Sequence, residues 1–317
     1  MSNTYFEILR PGINSSFQDK GRNHLYHIGI TVSGAMDQRI FKLSNALVNN
    51  NLNEAVIEFA YQGPLLRLKN GSVNFAIAGN VKFNILRKNS QIEEGKCFQS
   101  YLLENDDQID IITTIDSVFG YLAIEGGFHI EKIWDSYSVN TKAKVGPNNG
   151  EKFSANEKIY IKKNKVENFL EKKLNYKILL EKNIRAIRGT NFNYFSDDAK
   201  NKFFQEQYLV TKQSDRMGMR LEGTKLENIV HTNIKSEGLV KGVVQVPADG
   251  NPIILFSDHG SIGGYPKIAV IITADHDKVA QFLPGSKIKF KEVDLNEAEE
   301  LYKIYSNDTN NLIKKIK

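Results

Sequence analysis

Charged, aromatic and glycine residues that could bind or transform a small substrate follow the apolar run 253–256. They are Asp258, His259, Gly263, Gly264, Tyr265 and Lys267. A carboxylate and an imidazole can move protons, while glycines let a ligand or another backbone approach closely. The segment therefore predicts one wall of a substrate pocket, with Asp258 and His259 as catalytic candidates and the others as binding residues. The alternative is a β-bulge and turn in which Tyr265 packs over the core.

Two arginines, Arg216 and Arg220, alternate with apolar residues in the segment 214–223. On a strand or tight turn they would present one cationic face, which suits a carboxylate or a phosphate. We therefore predict that both bind substrate. The alternative is internal ion pairing, of Arg216 with Asp215 or Glu222 and of Arg220 with a nearby acid.

A loop of small residues precedes a predicted helix near the N-terminus. Ser33 opens this loop, Asp37 closes it, and His27 lies shortly before it. Helix N-termini favour anions, so Ser33 and His27 are predicted to bind substrate and Asp37 to act in catalysis. The N-cap of the helix is the more usual role for a residue placed like Asp37, and a hydrogen-bonded structural role is the more usual one for His27.

Composition excludes several classes of function. The chain has 317 residues, of which 41% are hydrophobic and 25% charged, and its net charge of +5 is spread over dispersed lysines. We expect no nucleic-acid binding, because that requires a clustered basic face. No run of about 18 apolar residues and no signal-like N-terminus is present, so we expect no membrane association and a cytoplasmic location.

Metal and thiol chemistry are not expected either. The chain has one cysteine, Cys97, whose acidic neighbours favour a buried, unreactive thiol. His24 and His27 have a ligand-like spacing, but no third histidine or cysteine accompanies them. We therefore predict no metal site.

The hydrophobic pattern is mainly that of strands. Short β-branched or aromatic runs recur along the chain, and Asp249-Gly250 marks a tight hairpin between two of them. Helices are predicted after Asp37, Ser196, Asp275 and Asp294, which are good N-cap residues. The length suits two domains of about 150 residues, joined by the lysine-rich stretch 162–182, which is also compatible with a surface helix.

Several longer motifs together resemble one protein family. They are Gln18-Asp19-Lys20-Gly21-Arg22, Ser33-Gly34-Ala35-Met36-Asp37, Asn45-Ala46-Leu47-Val48-Asn49-Asn50, Ser214-Asp215-Arg216-Met217-Gly218, Gln245-Val246-Pro247 and Gly263-Gly264-Tyr265-Pro266. Their order and spacing, from about Glu7 to Ala298, resemble the allophanate hydrolase subunit 2 family, also called the biotin-dependent carboxyltransferase family. The chain departs from the family pattern at Tyr137, Val139 and the segment 259–262, which leaves the substrate open.

The resemblance implies a mainly β fold of two cyclophilin-like β-barrel lobes with a few short helices. We expect residues 1–175 to form the N-terminal lobe and residues 176–317 the C-terminal lobe with a C-terminal helix. The resemblance also implies that the chain forms a hetero-oligomer with a sister subunit of related cyclophilin-like fold.

The activity that we expect from the resemblance is that of the C subunit of an ATP-dependent 5-oxoprolinase, a hydrolase that converts the lactam 5-oxoproline to glutamate. Arg216 and Arg220 would then stabilise phosphate or substrate carboxylate, and Asp258 or His259 would manage a proton or a water. ATP with Mg²⁺ would be bound by this chain or together with the sister subunit. Two alternatives remain: carboxyl transfer from biotin to urea or another amide, and non-catalytic antagonism of a kinase inhibitor.

Overall fold

The computed structural model describes residues 4–163, 165–230 and 233–317. Contacts between Cα atoms divide the chain into two compact units. The first comprises Met1–Arg22, Ser33–Ile178 and Thr309–Lys317, and the second comprises Asn23–Val32 and Leu179–Asp308. The sequence-based limit between residues 175 and 176 differs from this division at the segments 23–32, 176–178 and 309–317, because a sequence pattern does not reveal which unit a connecting segment packs against.

The first unit contains two antiparallel sheets. Its strands are β1 (Tyr5–Arg10), β2 (Ser16–Gln18), β3 (Val56–Ala60), β4 (Leu65–Lys69), β5 (Val73–Ala78), β6 (Val81–Leu86), β7 (Ile92–Glu94), β8 (Gln99–Leu103), β9 (Gln108–Thr114), β10 (Phe119–Ile124) and β11 (Lys158–Tyr160). One sheet has the order β11-β1-β4-β9-β6-β7 and the other the order β2-β3-β10-β5-β8. Helix α1 spans Gln38–Leu47, and a 3-10 turn spans Asn148–Gly150.

The burial of these strands explains the packing of the two sheets. The strands β3, β5 and β10 are buried along their whole length, whereas β4 and β6 alternate between buried and more exposed positions. Full burial of a strand means that both of its faces are covered. The core between the elements is rich in large apolar side chains, among them Phe6, Phe59, Phe75, Phe83 and Phe128.

The second unit is built around a closed barrel. Its strands are β12 (Asn183–Arg188), β13 (Gln207–Ser214), β14 (Gly218–Glu222), β15 (Glu237–Gly238), β16 (Val243–Gln245), β17 (Ile253–Leu255), β18 (Ile262–Gly263), β19 (Lys267–Ile271) and β20 (Lys287–Glu292). The barrel has the order β12-β19-β16-β17-β14-β13-β20, and β15 pairs with β18 in a separate small sheet. Neighbouring barrel strands are antiparallel except for β12 and β20.

The remaining helices are short except for the last one. They are α2 (Asp197–Gln205), α3 (His276–Ala280) and α4 (Leu295–Lys314), with 3-10 turns at Tyr26–Ile28, Phe192–Tyr194 and Thr273–Asp275. No helix in the described part of the chain is long and apolar enough to cross a membrane.

The mainly β fold predicted from the sequence is confirmed, and so are the local signals on which it depended. Asp37 caps α1 by accepting a hydrogen bond from the Ile40 backbone N–H at 2.9 Å, and Ser196 caps α2 in the same way at 3.2 Å. Gly250 has a φ of 75° in the turn between β16 and β17, which are paired. Among the described residues of 162–182 there is no helix, so the alternative that this stretch forms a surface helix is wrong.

One histidine of the second unit is held in an apolar setting. The imidazole of His276 lies in a small cavity lined by Gly242, Ile254, Ile271 and Val279, although the residue as a whole is half-buried. Its Nε2 is 3.2 Å from the carbonyl oxygen of Ile271. Burial lowers the pKa of His276 to about 3, because the charged ring would lose its hydration.

This burial predicts acid sensitivity. In the unfolded chain the pKa of His276 returns to its ordinary value near 6.5, so below that pH only the unfolded state takes up the proton. Stability is complete above about pH 6.5 and is lost toward pH 3, by up to about 1.4 kcal/mol per pH unit. His276→Gln should flatten this dependence in thermal unfolding between pH 7 and 4.5. The exposed His129→Gln serves as control, and equal slopes in both variants would contradict the assignment.

Candidate functional site

The strand alternation of the barrel creates the floor of a cavity in the second unit. On β14, Met219 and Leu221 are buried, and Arg220 between them is exposed. Arg220 is paired with Ile253 of β17, which in turn is paired with Gln245 of β16. Because side chains alternate between the faces of a strand, these three residues form one row on the face opposite to Met219.

The cavity above this row has a volume of about 530 Å³. The residues in its wall that matter chemically are Lys212, Asp215, Arg220, Gln245, Ile253, His259 and Tyr265. The structure thus brings together three residues that the sequence predicted as site residues: Arg220, His259 and Tyr265. Tyr265 remains 39% exposed, so it does not pack over the core as the alternative required.

Arg216 and Asp258 form an ion pair beside the cavity and do not line it. Arg216 Nε is 2.8 Å from Asp258 Oδ2, and a terminal guanidinium nitrogen is 3.2 Å from Oδ1. The two side chains are only 15% and 4% exposed. Asp258 is therefore a partner of Arg216 in place of Asp215, whose carboxylate accepts from the backbone N–H of Met217 at 2.8 Å. A catalytic role for Asp258 and substrate binding by Arg216 stay predictions.

His259 is the titratable group in the cavity wall with the most defined surroundings. Its Nδ1 is 2.6 Å from the carbonyl oxygen of Gly260, and its Nε2 is 3.3 Å from the hydroxyl of Tyr26. Burial lowers the pKa of His259, an effect that the hydrogen bond to Gly260 and the charge of Asp258 oppose. The ring is therefore neutral at neutral pH.

Tyr26 was not predicted from the sequence, whereas its neighbour His27 was. His27 lies in the same 3-10 turn, but it is exposed and does not line the cavity. The only sequence signal for Tyr26 was its place beside a candidate histidine. Its partner is 233 positions away, which no local pattern can reveal.

The remaining predicted residues of the C-terminal segment, Gly263, Gly264 and Lys267, have close contacts within the protein, and their role in substrate binding stays a prediction. A Cβ atom on Gly263 would lie 2.7 Å from Leu239 Cδ1, and one on Gly264 would lie 3.0 Å from the Ile234 carbonyl oxygen. The space beside both glycines is therefore occupied by other residues of this chain. Lys267 is buried and ion-paired with Glu237, and this contact lowers the pKa of the Glu237 carboxyl.

Asp37 and Ser33 belong to the first unit, where they support the loop before α1. The backbone N–H of Asp37 donates to the hydroxyl of Tyr121 at 2.8 Å, and this hydroxyl donates to Glu58 Oε2 at 2.9 Å. Tyr121 is fully buried, which raises its pKa well above the ordinary value. Ser33 has a φ of 55°, and its hydroxyl accepts from Asn140 Nδ2 at 3.1 Å. Their functional roles stay predictions.

The other candidate chemistries have little support in the described residues. Within residues 4–163, 165–230 and 233–317, no three His, Cys, Asp or Glu side chains lie close enough together to hold a metal ion. Burial raises the pKa of Cys97 to about 11, which keeps the thiol protonated. A thiolate nucleophile at Cys97 is therefore not expected.

Comparisons with known proteins agree with this architecture. The model of the carboxyltransferase domain, subdomain A and B, matches residues 28–292. The C subunit of 5-oxoprolinase from Escherichia coli (strain K12) is 29% identical over 294 residues, which cover 92% of each chain. Urea amidolyase of Saccharomyces cerevisiae is 28% identical over 308 residues, 90% of this chain but 16% of that protein. These matches confirm the family resemblance carried by the motifs.

The fold is also shared with a solved structure. The crystal structure of K. lactis urea amidolyase superposes with a TM-score of 0.88 at 23% sequence identity. The superposition covers 98% of this chain and 20% of that chain. This chain therefore corresponds in fold to about a fifth of the fungal enzyme.

The buried ion pair predicts an asymmetry between the two arginines of the 214–223 segment. Arg216→Ala should destabilise the protein by about 3–5 kcal/mol, because Asp258 would remain buried without its cation. Arg220→Ala should change stability by less than about 0.5 kcal/mol, because Arg220 is exposed. Urea denaturation measures both.

A double variant separates lost charge pairing from lost packing. Arg216→Met combined with Asp258→Leu removes both charges and should recover most of the stability that Arg216→Ala loses. Equal effects of Arg216→Ala and Arg220→Ala would contradict the structure.

Proposed function

The chain belongs to the family of the carboxyltransferase domain, subdomain A and B, and on that premise we propose that it is the C subunit of an ATP-dependent 5-oxoprolinase. Such an enzyme opens the lactam of 5-oxoproline to give glutamate. The extent of the matches supports this choice: the C subunit of the bacterial 5-oxoprolinase matches along nearly its whole length, whereas urea amidolyase matches over 16% of its length.

The charge of the cavity suits a small monoanion, and this observation carries the proposal. Lys212 and Arg220 contribute two positive charges, and neither takes part in an ion pair within the described residues. Asp215 contributes one negative charge, so the wall has a formal net charge of +1. 5-Oxoproline has one carboxylate, which Arg220 and Lys212 would hold by charge-assisted hydrogen bonds.

The other wall residues suit the lactam ring. Ile253 and Leu255 offer apolar contact to its methylene groups, and the Gln245 side chain offers an amide. Gln245 Nε2 already donates to the Tyr265 carbonyl at 3.2 Å, which orients the amide and leaves its oxygen for the lactam N–H. An apolar cavity with a few oriented polar groups is typical of small-molecule sites.

Lactam hydrolysis needs activation, because amide resonance resists attack by water at neutral pH. ATP, when bound, would supply a phosphoryl group to the lactam oxygen; attack of water on the carbonyl carbon then breaks the C–N bond as the nitrogen takes a proton, and a second water releases phosphate from the resulting acyl phosphate. Within this chain, neutral His259 would accept a proton from the attacking water at Nε2 once the Tyr26 hydroxyl has turned away from that nitrogen. Asp258 is less suited to this task because Arg216 engages both of its oxygens.

Nucleotide binding is proposed to involve the sister subunit. Lys212 and Arg220 have the charge to contact a phosphate as well as a carboxylate. We assign the substrate carboxylate to these two cations and propose that Mg²⁺-ATP is bound mainly by a partner of related fold.

Carboxyl transfer is the second candidate function, and one observation favours it: urea amidolyase of yeast matches 90% of this chain. In that case the same cavity would receive urea or another amide, and a biotinylated carrier would be supplied by another protein. Urea carries no charge, so the two cations would then have no carboxylate to bind.

Coexpression with its sister subunits tests the proposed function. The purified complex should release glutamate from 5-oxoproline only when ATP is present. An intact complex that releases no glutamate, or that carboxylates urea with a biotinylated carrier, would contradict the proposal.

Arg220 should affect substrate binding more than turnover. Arg220→Ala is expected to raise the KM for 5-oxoproline about 10- to 100-fold, because a hydrogen bond between charged groups is lost. The change in kcat should be much smaller. Lys287→Ala is a matched control, because Lys287 is an exposed cation of the same barrel outside the cavity. A KM that changes equally in both variants would argue against substrate binding at Arg220.

A further inference from the structure

The segment 23–32 contributes one aromatic side chain, Tyr26, that contacts His259 of the cavity wall. This segment groups with the second unit, although residues on both sides of it in sequence belong to the first. The side chain of Tyr26 is half-buried and lies close to His259, with the two ring centroids 6.0 Å apart and the ring planes inclined by 33°. Tyr26 does not line the cavity itself, so it would act through His259.

The hydrogen bonds of His259 determine its tautomer. A carbonyl oxygen only accepts hydrogen bonds, so the 2.6 Å contact with Gly260 requires the proton of the neutral ring to be on Nδ1. Nε2 then carries the lone pair, and the Tyr26 hydroxyl at 3.3 Å is its donor. The atom that can accept a further proton is therefore the atom that Tyr26 contacts.

The charges around His259 make this contact important. Asp258 favours the charged ring, but its carboxylate is shared with Arg216, and Lys241 disfavours the charged ring. The cavity adds the cations Lys212 and Arg220 and the carboxylate of Asp215. Tyr26 is neutral, and by donating to Nε2 it stabilises the unprotonated nitrogen.

We propose that Tyr26 is a positioning residue of the cavity: its hydroxyl donates to Nε2 of His259 and, with the Gly260 carbonyl at Nδ1, holds the ring neutral in one tautomer and one orientation. The geometric part of this inference is independent of the substrate. Its kinetic consequence rests on the proposed function, in which Nε2 accepts the proton of the attacking water.

NMR of the histidine rings in the full ¹⁵N-labelled chain tests the geometric part. In the wild type, His259 should show a protonated Nδ1 and an unprotonated Nε2 at pH 8, and His259→Asn identifies its signals. Tyr26→Phe should raise the pKa of His259 by about half to one unit, because a donor to the neutral form is lost. Tyr194→Phe, which removes a hydroxyl of the same unit outside the cavity, should leave the titration unchanged.

Two results would overturn the inference. One is an unprotonated Nδ1 in the wild type, which needs no variant and remains decisive if Tyr26→Phe fails to fold. The other is an identical His259 titration in Tyr26→Phe and the wild type.

Kinetics of the assembled complex test the consequence. Tyr26→Phe should keep KM within about 2-fold and move the acid limb of the pH–rate profile upward, because a base with a raised pKa stays protonated to a higher pH. An unshifted acid limb would contradict the role of Tyr26. A wild-type complex without 5-oxoprolinase activity would instead contradict the proposed function, and the NMR result would still decide the tautomer and the contact.

Discussion

The buried ion pair between Arg216 and Asp258 is the interaction on which the candidate site depends. It joins the turn before β14 to the loop after β17, and two backbone hydrogen bonds reinforce the junction: Asp258 N–H to the Arg216 carbonyl at 2.8 Å and Phe256 N–H to the Met217 carbonyl at 2.9 Å. His259 follows Asp258 directly, so its position is fixed by this junction. The ion pair fixes the positions of the two loops more than it adds net stability, because desolvation offsets much of the attraction between buried charges.

The barrel provides the second constraint, which is the alternation of its strands. Met219 and Ile254 are buried and paired, while Arg220 and Ile253 are paired on the opposite face. An exposed cation thus lies beside an apolar floor, and the loop fixed by Asp258 closes one side with His259. A site of this kind combines a rigid floor with a wall whose polar atoms are oriented by the protein's own hydrogen bonds.

Local signals in the sequence were sufficient for much of the fold. N-caps at Asp37 and Ser196 and the Asp249-Gly250 turn depend on neighbouring residues alone, so they could be predicted from single positions. The motifs also identified the family. For the site, Arg220 was found because it alternates with apolar residues along a strand, and His259 and Tyr265 were found because they follow an apolar run.

The rest of the site depends on contacts between distant residues. Arg216 and Asp258 are 42 positions apart, and sequence reasoning could offer only nearby acids as partners. In the sequence, the glycine pair 263–264 was compatible with the close approach of a ligand or of another backbone. Only the structure showed that Leu239 and Ile234 of the same chain lie next to these glycines. Tyr26 was missed because the segment 23–32 packs with a unit that is remote in sequence.

Binding of a small anionic lactam in the cavity of the second unit can be tested by a crystal structure of this chain with its sister subunit and 5-oxoproline. We expect the substrate carboxylate within about 3 Å of the Arg220 guanidinium, with the ring against Ile253. A substrate bound beside Ser33 and Asp37 of the first unit, with the cavity at Arg220 empty, would contradict it.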